Sequence, residues 1–397
     1  MRLTRSIILA LAASFASCHA PLPGGAALQP SARADLHATL SEGAAQRDFT
    51  LDVPVTGRYR CDIALTAPDG AEVWVEDYIG NPDGRSYDVT GPIPVPSMPG
   101  RQLVSRSGSP LAAGAHPMRL HSNGAQCTIE SVTFTLIRPH VETPQSLTQR
   151  TTGDEWALVW SDEFDGHGLP DPTKWTHDIG DWGWGNREPQ CYTEGRVENA
   201  RQEGGHLIIE ARPDDLGYAW TSARLTTRGK VSFLYGRIEI RAKVPATDGT
   251  WAAGWTLGDA YRDERSWPYC GEIDICEAVG REIDDVTGDG LNHASCHTRA
   301  YYFKQGNHIS NVLPVADMSG TFHDYVCEWD ERGVRMFVDG VHYYTYDKTA
   351  DALEWPFGAP QNLILNLAMG GGMGQAIAPN AGPQRFVIDH VRVYERR

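Results

Sequence analysis

One short run constrains the fold of this 397-residue chain more than any other: Gly271-Glu272-Ile273-Asp274-Ile275-Cys276-Glu277. Carboxylates alternate with apolar residues in it, which predicts a β-strand with one polar and one apolar face. In a regular strand Glu272 and Asp274 share a face, whereas Glu277 points to the other. One extra residue, a β-bulge at Ile275-Cys276, returns Glu277 to the acidic face. The run therefore predicts a bulged strand that presents three carboxylates together.

Three carboxylates on one face also predict a chemistry. Repulsion between them raises at least one pKa, so that one group keeps its proton near neutral pH while another is ionised. A proton donor beside an ionised carboxylate is what the cleavage of a glycosidic bond requires. Two other interpretations are an exposed acidic edge strand and a site for a hard cation. The aromatic residues Trp267 and Tyr269 just before the run count against the first, and the lack of Gly and Asn turns between the acids counts against the second.

The rest of the chain predicts an all-β protein. Short alternating runs recur between Gly, Pro and Asp turns, and no helical period persists. We divide the chain into a signal segment (1–18), a tether (19–35), a small β-sandwich (36–138), a linker (139–155) and a larger domain (156–397). About 240 residues of strands can close as a jelly roll of two sheets, whose concave face suits a long polymer.

The amino terminus predicts export. Arg2 and Arg5 precede a short apolar stretch and then small residues, as in a secretory signal, and the stretch is too short to span a bilayer. The small residues before Cys18 resemble a bacterial lipobox, which predicts a lipid anchor at Cys18 as the one membrane contact. Plain cleavage after Ala20 is the alternative. We therefore expect an outer-membrane or cell-surface lipoprotein, or a secreted or periplasmic protein.

The net charge limits the classes of molecule that this protein can bind, and the cysteine content bears on its disulfides. The formal net charge is −16 and no Lys/Arg cluster is present, which argues against nucleic acid and against sulfated polymers. Seven cysteines remain beside Cys18, so at least one is expected to stay free in an oxidising compartment. Cys61 and Cys127, near the two ends of the small β-sandwich, predict a disulfide. We expect a monomer.

Motifs occur in a fixed order from residue 156 to residue 395. They are Trp160-Ser161-Asp162-Glu163-Phe164, Gly185-Asn186-Arg187-Glu188-Pro189-Gln190, Thr221-Ser222-Ala223-Arg224-Leu225, Trp251-Ala252-Ala253-Gly254-Trp255, the acidic run, and Asp389-His390-Val391-Arg392-Val393-Tyr394. Together they resemble glycoside hydrolase family 16, specifically its laminarinase-like endo-β-1,3-glucanases. The resemblance implies a concanavalin A-like jelly roll and a retaining endo-glycosidase that hydrolyses β-1,3-glucan without a cofactor. Mixed-linkage β-glucan or agar-type galactan as substrate, and a non-catalytic glycan-binding protein, are the alternatives.

The resemblance also implies roles for single residues. Glu272 is expected to be the nucleophile and Glu277 the acid/base, with Asp274 between them to hold the proton balance. The residues expected to bind substrate are Asn186, Glu188, Arg224, Trp251, Trp255, Trp267 and His297. Among these, Trp267 is expected to stack on sugar at the cleavage site and His297 to lie near the acid/base. A structural salt bridge for Arg224 and core packing for Trp255 are the alternatives.

A structural calcium ion is a further expectation from the resemblance. The matching positions are Glu163, the backbone carbonyl of Gly205, and Asp389, whose oxygens would tie the two ends of the domain together. The alternative is that Glu163 and Asp389 only make hydrogen bonds facing solvent.

The small β-sandwich resembles jelly-roll modules that are appended to polysaccharide-degrading enzymes. Its expected stacking aromatics are Trp74, Tyr78 and Tyr87, with Trp74 also a candidate for the core. A packing domain without a ligand is the other interpretation.

Overall fold

The computed structural model describes residues 30–40, 46–124 and 126–397. The predicted signal segment, most of the predicted tether and the lipidation site at Cys18 lie outside the described residues. No helix within the described ranges is long and apolar enough to cross a membrane.

The amino-terminal part, called the first module below, is a sandwich of two antiparallel sheets. One sheet has the strand order β1-β9-β3-β7, and the other has the order β2-β8-β4-β5 with β6 beside β4. The strands are β1 (Ser31–Leu40), β2 (Gln46–Val53), β3 (Gly57–Ala67), β4 (Ala71–Asp77), β5 (Tyr87–Asp88), β6 (Ile93–Val95), β7 (Met98–Leu111), β8 (Gly114–Gly124) and β9 (Cys127–Pro139).

Two predicted boundaries differ from the structure. Residues 31–35, assigned to the tether, belong to β1, because this strand pairs with β9 from Ser31 opposite Thr135 onward and buries Ala32 against the core. The predicted linker, residues 139–155, contains strand β10 (Ser146–Thr148), which joins the large domain. Both segments are therefore held by backbone hydrogen bonds rather than free.

The predicted disulfide between Cys61 and Cys127 is wrong. Both thiols are buried and free. Cys61 on β3 lies opposite Phe134 on β9, whereas Cys127 is the first residue of β9. Seven residues at about 3.3 Å each separate the two positions along the strand, far beyond the roughly 7 Å between Cα atoms that a disulfide tolerates. The two cysteines lie near the two ends of the module in the sequence, but the register of β3 and β9 keeps them too far apart for a disulfide.

The remaining strands form the large domain, called the second domain below. They are β10 (Ser146–Thr148), β11 (Trp156–Asp162), β12 (Thr176–Asp178), β13 (Gln190–Tyr192), β14 (Ala200–Glu203), β15 (His206–Asp215), β16 (Tyr218–Ser222), β17 (Arg224–Thr226), β18 (Ser232–Leu234), β19 (Gly236–Lys243), β20 (Thr250–Gly258), β21 (Glu272–Val279), β22 (Gly290–His297), β23 (Ile309–Val315), β24 (His323–Asp330), β25 (Gly333–Val338), β26 (Val341–Asp347), β27 (Gln361–Met369) and β28 (Gln384–Arg396). Among the described residues the helical pieces are the 3-10 turns Gly280–Glu282 and Phe303–Gln305 and the short helix α1 (Gly371–Gly374).

The second domain is a jelly roll of two sheets, so the predicted fold class is confirmed. The sheet that carries the site has the order β10-β18-β27-β20-β21-β22-β23, with β17 beside β27 and β12 beside β17. The outer sheet has the order β13-β16-β15-β28-β19-β24-β25-β26, and β11 and β14 join at its flanks. Alternating burial along β19 and complete burial along β27 place the core between the sheets. Trp329, 1% exposed, lies in this core, where truncation to Ala costs about 3–5 kcal/mol.

The first module packs directly against the second domain. The backbone N–H of Ser107 donates to the Asp181 carboxylate at 2.7 Å, and the Asp181 N–H donates back to the Ser107 carbonyl at 2.9 Å. The hydroxyl of Tyr78 donates to Asp263. Tyr78 and Tyr87, expected to stack on sugar, are buried at this contact, so that expectation is wrong for both.

Candidate active site

The acidic run forms β21 and contains the predicted bulge. Opposite β20, Gly254 faces Cys276 and Trp255 faces Asp274, which leaves Ile275 as the extra residue. As a result Glu272, Asp274 and Glu277 all line one cleft on this sheet. The prediction of a bulge that gathers the three carboxylates is confirmed.

Asn292 on the neighbouring strand β22 completes the bulge. The ladder between β21 and β22 pairs residues 272–274 with residues 295–297 and stops where the bulge begins. There the Asn292 amide donates to the Ile275 carbonyl at 3.2 Å, and its carbonyl oxygen accepts from the Glu277 N–H at 3.1 Å. Asn292 is fully buried, so its side chain supplies the hydrogen bonds that the broken ladder would otherwise leave unmade. No motif pointed to this residue in the sequence.

Each of the three carboxylates accepts one hydrogen bond from a neighbouring side chain. The Trp267 indole N–H donates to Glu272 at 2.9 Å, and the Trp251 indole N–H donates to Glu277 at 3.0 Å. The Ser295 hydroxyl donates to Asp274 at 2.5 Å. Ser295 was missed, although it lies two residues before His297 in an alternating strand and therefore shares its face. The donors fix three carboxylates that repel one another.

Burial raises the pKa of all three carboxyl groups. Asp274 is 5% exposed, and burial together with repulsion from Glu272 and Glu277 raises its pKa well above the usual range. Burial and then repulsion from Glu277 raise the pKa of Glu272, while the hydrogen bond from Trp267 opposes the rise. Burial also raises the pKa of Glu277, against the hydrogen bond from Trp251. Near neutral pH the cluster therefore stays partly protonated, and burial together with repulsion favours a proton on Asp274 most strongly.

His297 lies at the Glu272 end of the carboxylate cluster, whereas we expected it at the Glu277 end. It pairs with Glu272 in register, and its Nε2 lies 3.4 Å from Asp274 and 3.8 Å from Glu272. The expectation that it lies near Glu277 is therefore wrong, because the bulge separates Glu277 from this part of the ladder. Burial lowers the pKa of His297 to about 3, so the ring is neutral.

A metal-binding site is the alternative interpretation of these carboxylates. Donor atoms of Glu272, Asp274 and His297 lie within 4.8 Å of one another, close enough to share a cation. Trp267 and Ser295, however, already donate hydrogen bonds to the two carboxylates. Donors aimed at these oxygens fit a proton-sharing cluster better than a cation site.

The loop with Asn186 and Glu188 lies along the cleft. The Asn186 amide donates to Glu188 at 3.1 Å, and the Gln190 amide donates to its other oxygen at 2.7 Å. Burial raises the pKa of Glu188 to about 7. Both Asn186 and Glu188 line the cleft, in reach of polar groups on a ligand.

Arg224 both forms a salt bridge and lines the cleft. Its Nε donates to Asp178 at 3.1 Å, and its guanidinium lies 4.8 Å from the Trp184 ring and 4.7 Å from the Trp255 ring. Trp255 is half-buried and donates its indole N–H to Asn366 at 2.7 Å. The salt bridge of Arg224 is therefore present, and its role in substrate binding stays a prediction that its place in the cleft lining fits, while Trp255 belongs to the cleft wall rather than to the core alone.

Asp178 connects this wall to the first module. Arg58 of β3 is 8% exposed and reaches across the contact to Asp178 at 3.2 Å. Burial alone would raise the pKa of Asp178, but Arg58, Arg228 and Arg224 around it hold that pKa far below its usual range. Arg58 also lies 5.4 Å from the Trp184 ring. The sequence carried no signal for this pairing, since the partners are 120 residues apart.

Two of the three predicted calcium ligands, Glu163 and Asp389, are already paired with groups of the chain. Both oxygens of Glu163 accept hydrogen bonds from Arg392, at 3.0 and 2.7 Å. Asp389 lies 2.9 Å from His390 and 3.5 Å from Arg241. Arg392 therefore competes with a cation for both oxygens of Glu163, and His390 and Arg241 compete for one oxygen of Asp389, while the calcium ion itself stays a prediction.

Comparisons with known proteins find a matching family and similar solved structures. Residues 187–392 match the family described as Glycosyl hydrolases family 16. A Beta-glucanase of Rhodothermus marinus is 48% identical over 254 residues, which cover 60% of this chain and 85% of the relative. The solved laminarinase of Rhodothermus marinus superposes with a TM-score of 0.57 at 46% identity, covering 61% of this chain and 98% of that one.

A second solved structure carries a bound sugar. It is a variant of a non-specific endo-β-1,3(4)-glucanase with a 1,3-β-D-cellobiosyl-glucose at its active site. It superposes with a TM-score of 0.57 at 36% identity, covering 62% of this chain and 98% of that one.

Proposed function

Because this chain belongs to the glycosyl hydrolases of family 16 and is therefore a glycoside hydrolase, we propose that it is a retaining endo-β-1,3-glucanase that acts on laminarin-like glucan. The observation that carries the proposal is the bulged strand, which presents Glu272, Asp274 and Glu277 to one cleft. The solved laminarinase and the endo-β-1,3(4)-glucanase among the relatives support the substrate class and the endo mode.

The first step forms a bond between the enzyme and the sugar. A carboxylate oxygen of Glu272 attacks the anomeric carbon, and the bond from that carbon to the glycosidic oxygen breaks. Glu277 gives its proton to the departing oxygen, which leaves as an alcohol. The raised pKa of Glu277 supports this role, because the group keeps its proton at a pH where an exposed glutamate has lost it.

The second step releases the sugar with its configuration retained. Glu277, now ionised, takes a proton from water, and the water oxygen bonds to the anomeric carbon while the bond to Glu272 breaks. Glu272 returns as a carboxylate and Glu277 returns protonated. Two inversions at one carbon give net retention.

Asp274 keeps the charges in balance during both steps. With a proton on Asp274, Glu272 can be ionised without a second negative charge on the group between it and Glu277. The hydrogen bonds from Trp267 and Ser295 hold the two groups in place while the proton stays on Asp274. The indole N–H of Trp251 favours the ionised form of Glu277 that follows the first step.

A neutral glucan fits the charges of the chain. The net charge of −16 disfavours anionic polymers, and the cleft combines tryptophans with polar and charged side chains that can bond sugar hydroxyls. Mixed-linkage β-glucan is the second candidate substrate, because one relative is named for both linkages. All three carboxylates are present, which disfavours a role in glycan binding alone.

Product analysis tests the proposal. The purified full chain is incubated with laminarin, lichenan and agarose, and the products are separated by size. We expect laminarin to be cleaved and the β-anomer to appear first by proton NMR. Glu272→Gln should lose more than about 10³-fold in turnover, whereas Glu331→Gln, at an exposed position, should not. No release from laminarin, early α-anomer, or near-normal turnover by Glu272→Gln would each overturn the proposal.

We also propose that the chain is exported, anchored by lipid at Cys18, and monomeric. The basic start, the apolar stretch and the small residues before Cys18 support export and lipidation. Metabolic labelling with a radioactive fatty acid, compared with Cys18→Ser, tests the anchor. Size-exclusion chromatography with light scattering tests the monomer.

A further inference from the structure

A crevice of about 410 Å³ lies between the first module and the second domain, beside the cleft. Trp182 and Gly185 line both the crevice and the cleft, so the two spaces adjoin. The crevice therefore adjoins the cleft, and most of its lining lies outside the family match of residues 187–392.

The wall on the first module is one face of strand β4. Glu72, Trp74 and Glu76 alternate along the strand and so share that face. The Trp74 ring stacks on His121 of β8, with centroids 4.7 Å apart and planes 2° apart, and His121 lies 2.9 Å from Glu76. Asn123 donates its amide to Glu72 at 3.0 Å. A rigid, half-buried indole is thus flanked by carboxylates and an amide.

The opposite wall comes from the second domain and is fixed relative to the first. Gly183, Gly185 and Arg187 line it. A Cβ placed on Gly91 would come within 3.0 Å of the Trp182 carbonyl, so the two backbones touch at the base of the crevice. The paired hydrogen bonds between Ser107 and Asp181 hold the same contact. The spacing of the walls is therefore set before any ligand binds.

We propose that the Glu72-Trp74-Glu76 face is a glucan subsite that extends the cleft. A chain that leaves the cleft past Gly185 contacts the Trp74 ring with the C–H face of a sugar, while Glu72, Glu76 and Asn123 bond its hydroxyls. The carboxylates suit a neutral chain and repel an anionic one. The identity of the ligand as β-1,3-glucan rests on the proposed function.

Binding measured against chain length tests the subsite. The parent protein is Glu272→Gln, which holds substrate without turnover, and the ligands are laminari-oligosaccharides from two to ten residues, followed by calorimetry. We expect the parent to bind the longest ligands more tightly than those that the cleft alone can hold. Adding Trp74→Ala should weaken the longest ligands about tenfold and leave the shortest within about twofold.

Two further variants distinguish a loss of ligand contacts from a folding defect of the first module. Asn123→Ala removes a hydrogen-bonding group from an exposed position and should weaken only the long ligands, by about threefold. Leu103→Ala, on the other sheet of the first module and 56% exposed, should change neither.

The outcomes separate this subsite from the proposed function. If the parent binds short ligands but shows no gain with length, or if Trp74→Ala and Asn123→Ala both keep the full gain, the subsite is overturned and the proposed function stands. If the parent binds none of the oligosaccharides and the wild type cleaves no β-1,3-glucan, the proposed function fails, and the subsite fails with it.

Discussion

The side-chain amide of Asn292 donates to the carbonyl oxygen of Ile275, the residue that β20 leaves unpaired. The same side chain accepts the N–H of Glu277. One buried asparagine thus replaces the missing rungs of the ladder at the point where the strand bulges. The position of Glu277 depends on a hydrogen bond from the neighbouring strand as well as on the count of residues in its own.

Asn292→Ala should therefore lower both stability and turnover. It leaves a buried carbonyl and a buried N–H without partners, at a cost of about 1–3 kcal/mol in the free energy of unfolding. Turnover should fall more than tenfold, because Glu277 loses its support. Denaturant unfolding and kcat on laminarin measure the two effects.

Asn292→Asp is the graded comparison for that change. It can still accept from the Glu277 N–H but, when ionised, cannot donate to Ile275, so its turnover should exceed that of Asn292→Ala. Equal turnover of wild type and Asn292→Ala at equal stability would show that Asn292 does not position Glu277.

Glu277→Ala should stop hydrolysis of glucan and spare aryl β-glycosides with very good leaving groups in the first step, since those need no proton. Azide should then restore turnover and yield a β-glycosyl azide, because a small anion can enter where the carboxylate was removed. Mass spectrometry and NMR identify the product. Failure of both tests would assign the acid/base role to another group.

Trp251→Phe and Trp267→Phe should move opposite limbs of the pH profile of kcat/KM. Trp251 lowers the pKa of Glu277, so its loss raises that pKa and moves the alkaline limb, where the acid loses its proton, to higher pH. Trp267 lowers the pKa of Glu272, so its loss raises that pKa and moves the acidic limb, where the nucleophile gains a proton, to higher pH. We expect each shift to be about one pH unit.

Each tryptophan variant is the control for the other, because both remove one indole N–H from the same cleft. Movement of the same limb by both variants would contradict the assignment of separate roles to Glu272 and Glu277.

Arg58→Ala should raise KM for laminarin about fivefold and leave kcat within about twofold. Arg58 lies against Asp178 and Trp184, which in turn hold Arg224 on the cleft wall. Arg58→Lys should recover part of the loss, since it keeps the charge without the planar guanidinium.

Arg60→Ala is the matched control, because Arg60 lies two residues along the same strand, is 45% exposed and pairs with Asp62 of its own module. An unchanged KM in Arg58→Ala, or an equal rise in Arg60→Ala, would remove Arg58 from the support of the cleft.

The local alternation of polar and apolar residues predicted much of this site. The remaining features depend on which residues face each other across strands, which the sequence does not show. The alternation around Glu272 and the odd step to Glu277 predicted the strand, the bulge and the shared face, because these depend on a few consecutive residues. The predictions for His297 and for the pair Cys61 and Cys127 were wrong, since both depend on which residues face each other across strands. Asn292 and Arg58 were missed for the same reason, because each acts on another strand: Asn292 on its neighbour in the sheet and Arg58 on a strand of the other domain.

The buried pair of Arg58 and Asp178 also bears on how the chain folds. Each charge lies on a different sandwich, so this ion pair forms only when the two sandwiches dock, although Asp178 also pairs with Arg224 and Arg228 of its own domain. Neither sandwich therefore reaches its full stability until the other has docked. We expect a single cooperative melting transition for the whole chain, and a second domain expressed alone should melt at a lower temperature than it does in the intact protein.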